Sequence, residues 1–335
     1  MNRALFLAGT LSALGVSRGR AAATGGREPC TASPGPATAI RVLLGRGLVT
    51  PLDAQSFRFG TRPYRGSAQT LADGTTVDVL DLESYLYGVV PLEMPRSWPR
   101  EALMAQAILA RTFATAKRDA ARSYDVVASQ SDQAYGGRDA EFPETTAAVD
   151  RTRGTLVAYG GAVATVSYMS CCGGHTESAA DAWGGRAVPY LAGVACPYCV
   201  QSPEFRWERT VTWRDVVNAL PEDFADFGPL VQIAVGETDA SGRARTLHFQ
   251  GPERSVDLPA KAVRNALGPS VVRSLLIHSV RVNGSQADLT ITIEGSGRGH
   301  GVGLCQWGAK TLGSNGATAR EILAFYFPGT NITNG

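Results

Sequence analysis

The chain has 335 residues, 44% of them hydrophobic, and a formal net charge of +2. That length suits one large domain or two modest ones, and a near-balanced charge without a basic block argues against a nucleic-acid partner. Thirty-eight glycines and eighteen prolines point to a loop-rich α+β protein rather than a helical bundle.

The N-terminus reads as a secretory signal. Arg3 precedes an apolar run from Ala4 to Val16, and Ala21–Ala23 offers a small-residue cleavage site. The run is short of the roughly 20 residues a membrane span needs, and no second run is long enough. Residues 1–23 are therefore expected to be removed on export. That would leave no stable membrane span and place the protein in the periplasm, in the cell wall or outside the cell. Residues 24–38, rich in Gly, Pro and Thr, read as a linker, and Cys30 follows no lipoprotein box.

Ile40–Leu44, Ser56–Phe59, a segment around Tyr64 and Thr76–Val79 read as strands of a small β region. Asp81 can cap a helix with Leu82, Tyr85, Leu86 and Val89 on one face, and Gly88 lets that helix stop. Pro91 and Pro95 then bracket a segment expected to be neither helix nor paired strand. Pro99 opens a second helix running from Glu101 to Lys117, where Arg111 leaves an otherwise apolar surface. Glu93 stands in Val-Val-Pro-Leu-Glu-Met-Pro, with no charged residue within two positions. Such surroundings disfavour the charged carboxylate and raise its pKa. A Glu protonated near neutral pH is what a glycosidase uses as a general acid.

The polar, Gly-rich segment Ser129–Gly137 suits a binding loop, where Tyr135 can stack on a sugar and Gln133 can bond its hydroxyls. A helix is expected over Glu144–Asp150. Leu156–Tyr159 and Ala164–Met169 then read as a hairpin around Gly160-Gly161, delivering Ser170, Cys171, Cys172 and His175 to a loop. Cys172-Gly-Gly-His175 and Cys196-Pro-Tyr-Cys199 have the spacing of a four-ligand structural zinc site. Export favours a disulfide among the same cysteines, so both readings stand.

Residues 206–294 read as a separate β-rich lobe. It contains strands at Trp207–Trp213, Val231–Val235 and Arg245–Gln250, a helix ended by Gly268, and a hairpin of Leu276–Val282 with Ala287–Ile293 across Asn283-Gly284. His248 and His278 read as structural. Gly295–Gly303 is a glycine-rich loop presenting His300; no Gly-Lys-Ser/Thr follows, so it is not a phosphate loop. A helix over Leu304–Leu312 carries Cys305, read as a core thiol, and Gln306. Thr318 and Glu321 form a capping box for the last helix.

The run Tyr85-Leu-x-Gly-Val-Val-Pro-x-Glu-Met-Pro-x-x-Trp-Pro-x-Glu-Ala-Leu-x-Ala-Gln-Ala-x-x-Ala-Arg-Thr112 resembles the signature of the SpoIID/LytB family. The resemblance recurs in Ser170–Thr176, Trp183-Gly-Gly, Pro189–Leu191 and Gly299–Ala309, in that order, over roughly residues 40–330. It implies a SpoIID-like mixed helical and β core built from residues 39–205 and 295–335, with the lobe inserted between them. It also implies a lytic transglycosylase acting on peptidoglycan glycan strands, with Glu93 as acid and then base. Arg111, Gln133, Tyr135, Ser170, His300 and Gln306 would position the sugar. A hydrolase would need a second carboxylate, for which Asp132, Glu177 and Asp181 are candidates. The alternative reading is a non-catalytic glycan-binding activator of a cell-wall amidase. Some relatives hold zinc with Cys and His at the Cys172 loop, and many have Ser in place of Cys305. The Gly297–Gly303 loop is two residues shorter than the family pattern.

Overall fold

The computed structural model describes residues 39–224, 227–285 and 288–334; the segments expected to be a leader and a linker, with Cys30, lie outside them. Strand β1 (Ala39–Gly45) buries Ile40 and Val42. Strands β2 (Val49–Asp53), β3 (Ser56–Phe59) and β4 (Arg62–Arg65) form a separate antiparallel meander, after which β5 (Ser67–Thr70) and β6 (Thr76–Asp81) return to the first sheet. Helix α1 (Leu82–Glu93) is capped by the Asp81 carboxylate, which accepts the Glu83 and Ser84 amides at 3.1 and 3.2 Å. Helix α2 (Arg100–Lys117) follows, and β7 (Val126–Val127) then completes the sheet in the order β5-β6-β1-β7, parallel to β1.

Helix α1 corrects one expectation. It does not stop at Gly88 but runs through Pro91 to Glu93, and Met94 N–H still bonds Val90 O at 3.0 Å. Pro91 omits one ladder bond close to the helix end, where the loss is small. Gly88 has a packing role instead: a Cβ there would lie 2.7 Å from the Tyr135 ring.

Helix α3 (Pro143–Arg151) packs against both earlier helices. Arg111 joins all three. It is 1% exposed, donates to both Glu83 carboxylate oxygens at 2.8 and 2.7 Å, and reaches the carbonyls of Val149 and Thr155. Its expected role in sugar binding is thereby overturned. A desolvated guanidinium needs a carboxylate and several acceptors at once, and here the helices supply them.

Strand β8 (Thr155–Tyr159) and β9 (Ala162–Val163) make only a stub of the expected hairpin. The chain then leaves that sheet, and β10 (Tyr168–Met169) pairs elsewhere. After α4 (Ala179–Trp183), the lobe comprises β11 (Trp207–Thr212), α5 (Trp213–Ala219), α6 (Pro221–Phe224), β12 (Gln232–Val235), β13 (Thr246–Gln250), β14 (Ser255–Pro259), α7 (Ala260–Leu267), β15 (Ile277–Asn283) and β16 (Thr290–Gly295). Its two antiparallel sheets, β11-β16-β15 and β12-β13-β14, enclose an apolar cluster of their own that includes Trp207, Phe224, Phe249 and Ile291. The last hairpin strand begins at Thr290 rather than at Ala287, which lies outside the described residues.

The C-terminal segment rejoins the first part of the chain. Strand β17 (Leu304–Cys305) pairs in parallel with β10, so α8 (Gln306–Ser314) starts two residues later than expected. It continues through Gly313, which packs close to Pro99. Helix α9 (Ala319–Tyr326) has the predicted capping box, and β18 (Asn331–Asn334) adds antiparallel to β8. No helix among the described residues is long and apolar enough to cross a membrane.

Arg111→Met leaves Glu83 buried without its counter-ion. It is expected to cost about 3–5 kcal/mol, the range for breaking a buried pair, read by denaturant unfolding. A loss below about 1 kcal/mol would show that the pair does not hold the three helices.

Candidate functional site

Glu93 is the last residue of α1, and the Pro-rich turn after it leaves the carboxyl partly buried. Three donors converge on it: Gln306 Nε2 at 3.4 Å, the Tyr168 hydroxyl and the Ala134 amide. Loss of water raises its pKa above that of an ordinary Glu, and the three donors oppose that rise without cancelling it.

The donors are themselves held. The Tyr85 hydroxyl donates to Gln133 Oε1 at 3.2 Å, and Gln133 Nε2 donates to the Tyr168 hydroxyl at 3.1 Å and to the Ala110 carbonyl. The Tyr168 hydroxyl in turn favours the Glu93 carboxylate, which links Tyr85 through Gln133 and Tyr168 to the carboxyl. Burial, and then the Glu93 charge, hold the Tyr168 hydroxyl protonated far above the ordinary tyrosine range, so it remains a donor. Bonds in such a chain polarise one another. Gln306 Nε2 also lies 3.4 Å from Gln106 Oε1, and the Gln106 amide nitrogen is buried without a partner.

The structure redistributes several expected sugar contacts. Gln133 is 0% exposed with its amide committed to protein, so it positions Tyr168 instead of meeting a ligand. Tyr135 is 5% exposed, packed among Tyr64 and Tyr85 at 5.4 and 4.9 Å, and donates to Asp78 at 3.1 Å; it cannot offer a stacking face. Ser170 meets the C-terminal segment through its carbonyl, which accepts the Trp307 amide at 3.1 Å. Gln306 does reach Glu93. His300 faces another way: its Nε2 bonds the Tyr168 carbonyl at 3.0 Å, and its Nδ1 accepts the Val302 amide. With one nitrogen accepting and the other facing a carbonyl, the ring is neutral, and burial lowers its pKa to about 4.

The candidate second carboxylates are committed elsewhere. Asp132 pairs with Lys117 and accepts the Val127 amide. Asp181 pairs with Arg245, and Glu177 lies 3.4 Å from Arg243. Composition gave no sign of Tyr168, Gln106 or the Trp98–Trp307 pair, whose rings lie 5.2 Å apart beside the site segments.

Beside this site, the Sγ atoms of Cys172, Cys196, Cys199 and Cys305 all lie within 4.8 Å of one another, and all four residues are buried. This corrects the expected ligand set, because Cys305 takes the place assigned to His175. The His175 backbone pairs with Ala195 while its ring bonds the Thr176 carbonyl at 2.6 Å. Four thiolates around a tetrahedral zinc at about 2.3 Å stand about 3.8 Å apart, which this cluster fits. The Cys172–Cys199 separation of 3.5 Å is well above a disulfide bond of about 2.05 Å, although oxidation could still join such neighbours. Thiol hydrogen bonds, from Cys171 first, hold Cys199 far below the ordinary thiol range. Arg243, 1% exposed, crosses from the lobe to donate to the Cys172 and His175 carbonyls at 2.8 and 3.1 Å.

Comparison with known proteins adds a lineage. Residues 72–159 match the family described as Stage II sporulation protein, and residues 199–303 match a domain of unknown function (DUF8618). An uncharacterized protein of Brachyspira hyodysenteriae is 35% identical over 81% of this chain and 72% of its own length. The stage II sporulation protein D of Bacillus amyloliquefaciens is 32% identical over 77% of this chain and 76% of its own. The amidase enhancer of Bacillus subtilis is 27% identical over 74% of this chain, which spans only 40% of that longer protein. With its motifs, their order and these relatives together, the chain belongs to the SpoIID/LytB family.

Proposed function

We propose that this is an exported, peptidoglycan-acting lytic transglycosylase that cleaves glycan strands with Glu93 as its single acid and base. The observation that carries the reading is the Glu93 carboxyl: partly out of water, raised in pKa, met by three donors and by no second carboxylate among its partners. Protonated Glu93 gives its proton to the glycosidic oxygen as the C1–O bond breaks. The resulting carboxylate takes the proton from the C6 hydroxyl of the same muramic acid. That oxygen attacks C1 and closes an anhydro ring, so no water is activated and no second carboxylate is needed. Gln306, Tyr168 and the Ala134 amide stabilise the carboxylate formed between the two transfers. The sequence of residues 1–23 supports export.

We assign the four-cysteine cluster to a structural zinc ion, with disulfide formation as the competing state. All four positions would be filled by protein, which leaves no open site for hydrolysis. Metal analysis is expected to find one zinc per chain, lost in Cys305→Ser and retained in His175→Ala. A metal-free protein lighter by two or four hydrogens would identify disulfides instead.

The second reading, a non-catalytic activator of a cell-wall amidase, draws on the relative named amidase enhancer. Glu93→Gln separates the two. As an enzyme the variant loses about 10²–10⁴-fold in rate, the range for general acid–base catalysis, read as anhydro-muropeptides by mass spectrometry of digested glycan. As an activator it retains its effect on the amidase.

The acid form of Glu93 starts the reaction, so the rate falls as pH rises through its raised pKa. Tyr168→Phe removes a donor to the carboxylate and raises that pKa further. The alkaline limb of the kcat/KM profile should therefore move to higher pH; an unmoved limb would take Glu93 out of the acid role.

A further inference from the structure

A concavity lies beside the ring of His300, whose Nε2 bonds the Tyr168 carbonyl of β10. Its volume is about 330 Å³, and it is lined by the end of α4, one face of α7 and the glycine-rich loop at Gly299 and His300. Glu93 is not among its walls. The size is at the lower end of the roughly 300–1,000 Å³ of small-molecule sites, enough for one sugar ring.

Two features of the wall point to the ligand. Trp183 is 47% exposed, and its ring sits 5.2 Å from the His300 ring in a tilted pair. A large apolar ring left in water inside a cavity offers a face to an apolar partner. Lys261 and Arg264 stand one turn apart on α7, on the same face. Lys261 Nζ bonds the Ala182 carbonyl at 3.1 Å, which brings its ammonium next to Trp183. Arg264 is tied to the carbonyls of Val272 and Arg273. Neither cation is within ion-pair distance of a carboxylate among the described residues; burial pulls the Arg264 guanidinium below its ordinary value, and the charge of Glu177, further off, opposes that only in part. The acidic groups of the cavity are already engaged. Asp181 pairs with Arg245, Glu177 lies beside Arg243, and Asp239 accepts the Ser241 and Arg243 amides. Burial also pushes the Glu177 carboxyl up to about 8, favouring its neutral form. Four cations, Arg243, Arg245, Lys261 and Arg264, stand against three carboxylates, Glu177, Asp181 and Asp239, so the balance at the cavity is positive.

We propose that this cavity binds a carboxylate-bearing sugar ring, stacked on Trp183 with its carboxylate on Lys261 and Arg264; in a glycan strand stripped of stem peptides that ring is N-acetylmuramic acid, whose lactyl carboxylate is then free. The choice of muramic acid rests on the peptidoglycan reading above, whereas the preference for an acidic ring rests on the cavity alone. The site lies outside the acid–base machinery and would hold a strand at a second point.

The test uses the full chain carrying Glu93→Gln, so that nothing is turned over and a failure of catalysis cannot be mistaken for a failure of this site. The chain has five tryptophans, and Trp183→Ala identifies the indole N–H resonance of Trp183 by its disappearance. Titration with N-acetylmuramic acid is expected to shift that resonance, with affinity at least tenfold above that for N-acetylglucosamine, the neutral ring, and for D-lactate, the carboxylate without a ring. Lys261→Gln, at an exposed side chain that does not endanger folding, and Lys261→Gln with Arg264→Gln should remove the preference between the two sugars. Equal shifts with both sugars, an equal response to D-lactate, no shift at all, or a preference that survives the double substitution would each overturn the proposal.

Discussion

A parallel pairing only two residues long, Tyr168 with Leu304 and Met169 with Cys305, organises the functional region. It brings the Tyr168 hydroxyl and the Gln306 amide to the same carboxyl, and it puts Cys305 against Cys172 and the Cys196–Cys199 turn. It also brings the His300 ring to the Tyr168 carbonyl. A shift of one residue would turn every one of these side chains to the opposite face. Gly303 guards the register: its φ is +79°, and a Cβ there would fall 2.0 Å from the Ser167 carbonyl oxygen. The two residues gain little from their own ladder bonds. Their alignment is held by the thiol cluster and the buried segments on either side.

Burial alone does not mark out the candidate carboxyl. Asp78 is pushed up to about 8 by loss of water, with only the Tyr135 hydroxyl opposing. It lies in the β5–β6–β1 sheet under packed aromatic rings, where no substrate reaches it. Glu93 differs in geometry. It is only partly covered, and it has three donors aimed at the charge it carries midway through the proposed reaction. A site of this kind must balance a dry setting that keeps the proton on against hydrogen bonds that accept the charge once the proton leaves.

Local pattern made Glu93 a candidate through its lack of charged neighbours, but the groups that meet its carboxyl, Gln306, Tyr168 and Ala134, lie far along the chain. The capped helices and the strands of the lobe were legible from local pattern. Partners far along the chain were not. Arg111 was visible as a charge on an apolar face, but nothing near it announced Glu83, and the residue proved to be a tie between helices. Counting intervals between cysteines and histidines found three of the four clustered thiols and filled the last position with the nearest His. The true fourth member arrives through strand pairing. Gln133 and Tyr135 sit in a polar, Gly-rich run that reads as a surface loop. The close approach permitted by Gly88 draws that run inward, and its polar atoms are satisfied by protein.

The reach of Arg243 into the core has an implication for engineering. Its guanidinium is the donor for two carbonyls of the loop bearing Cys172, and Gly301 leaves it room, since a Cβ there would stand 2.7 Å from its central carbon. The lobe is therefore not an ornament that can be snipped out and bridged by a short graft. Any chimera that exchanges it between relatives has to carry across an equivalent cation, or the wall beside the cysteines is left with bare acceptors in a dry interior.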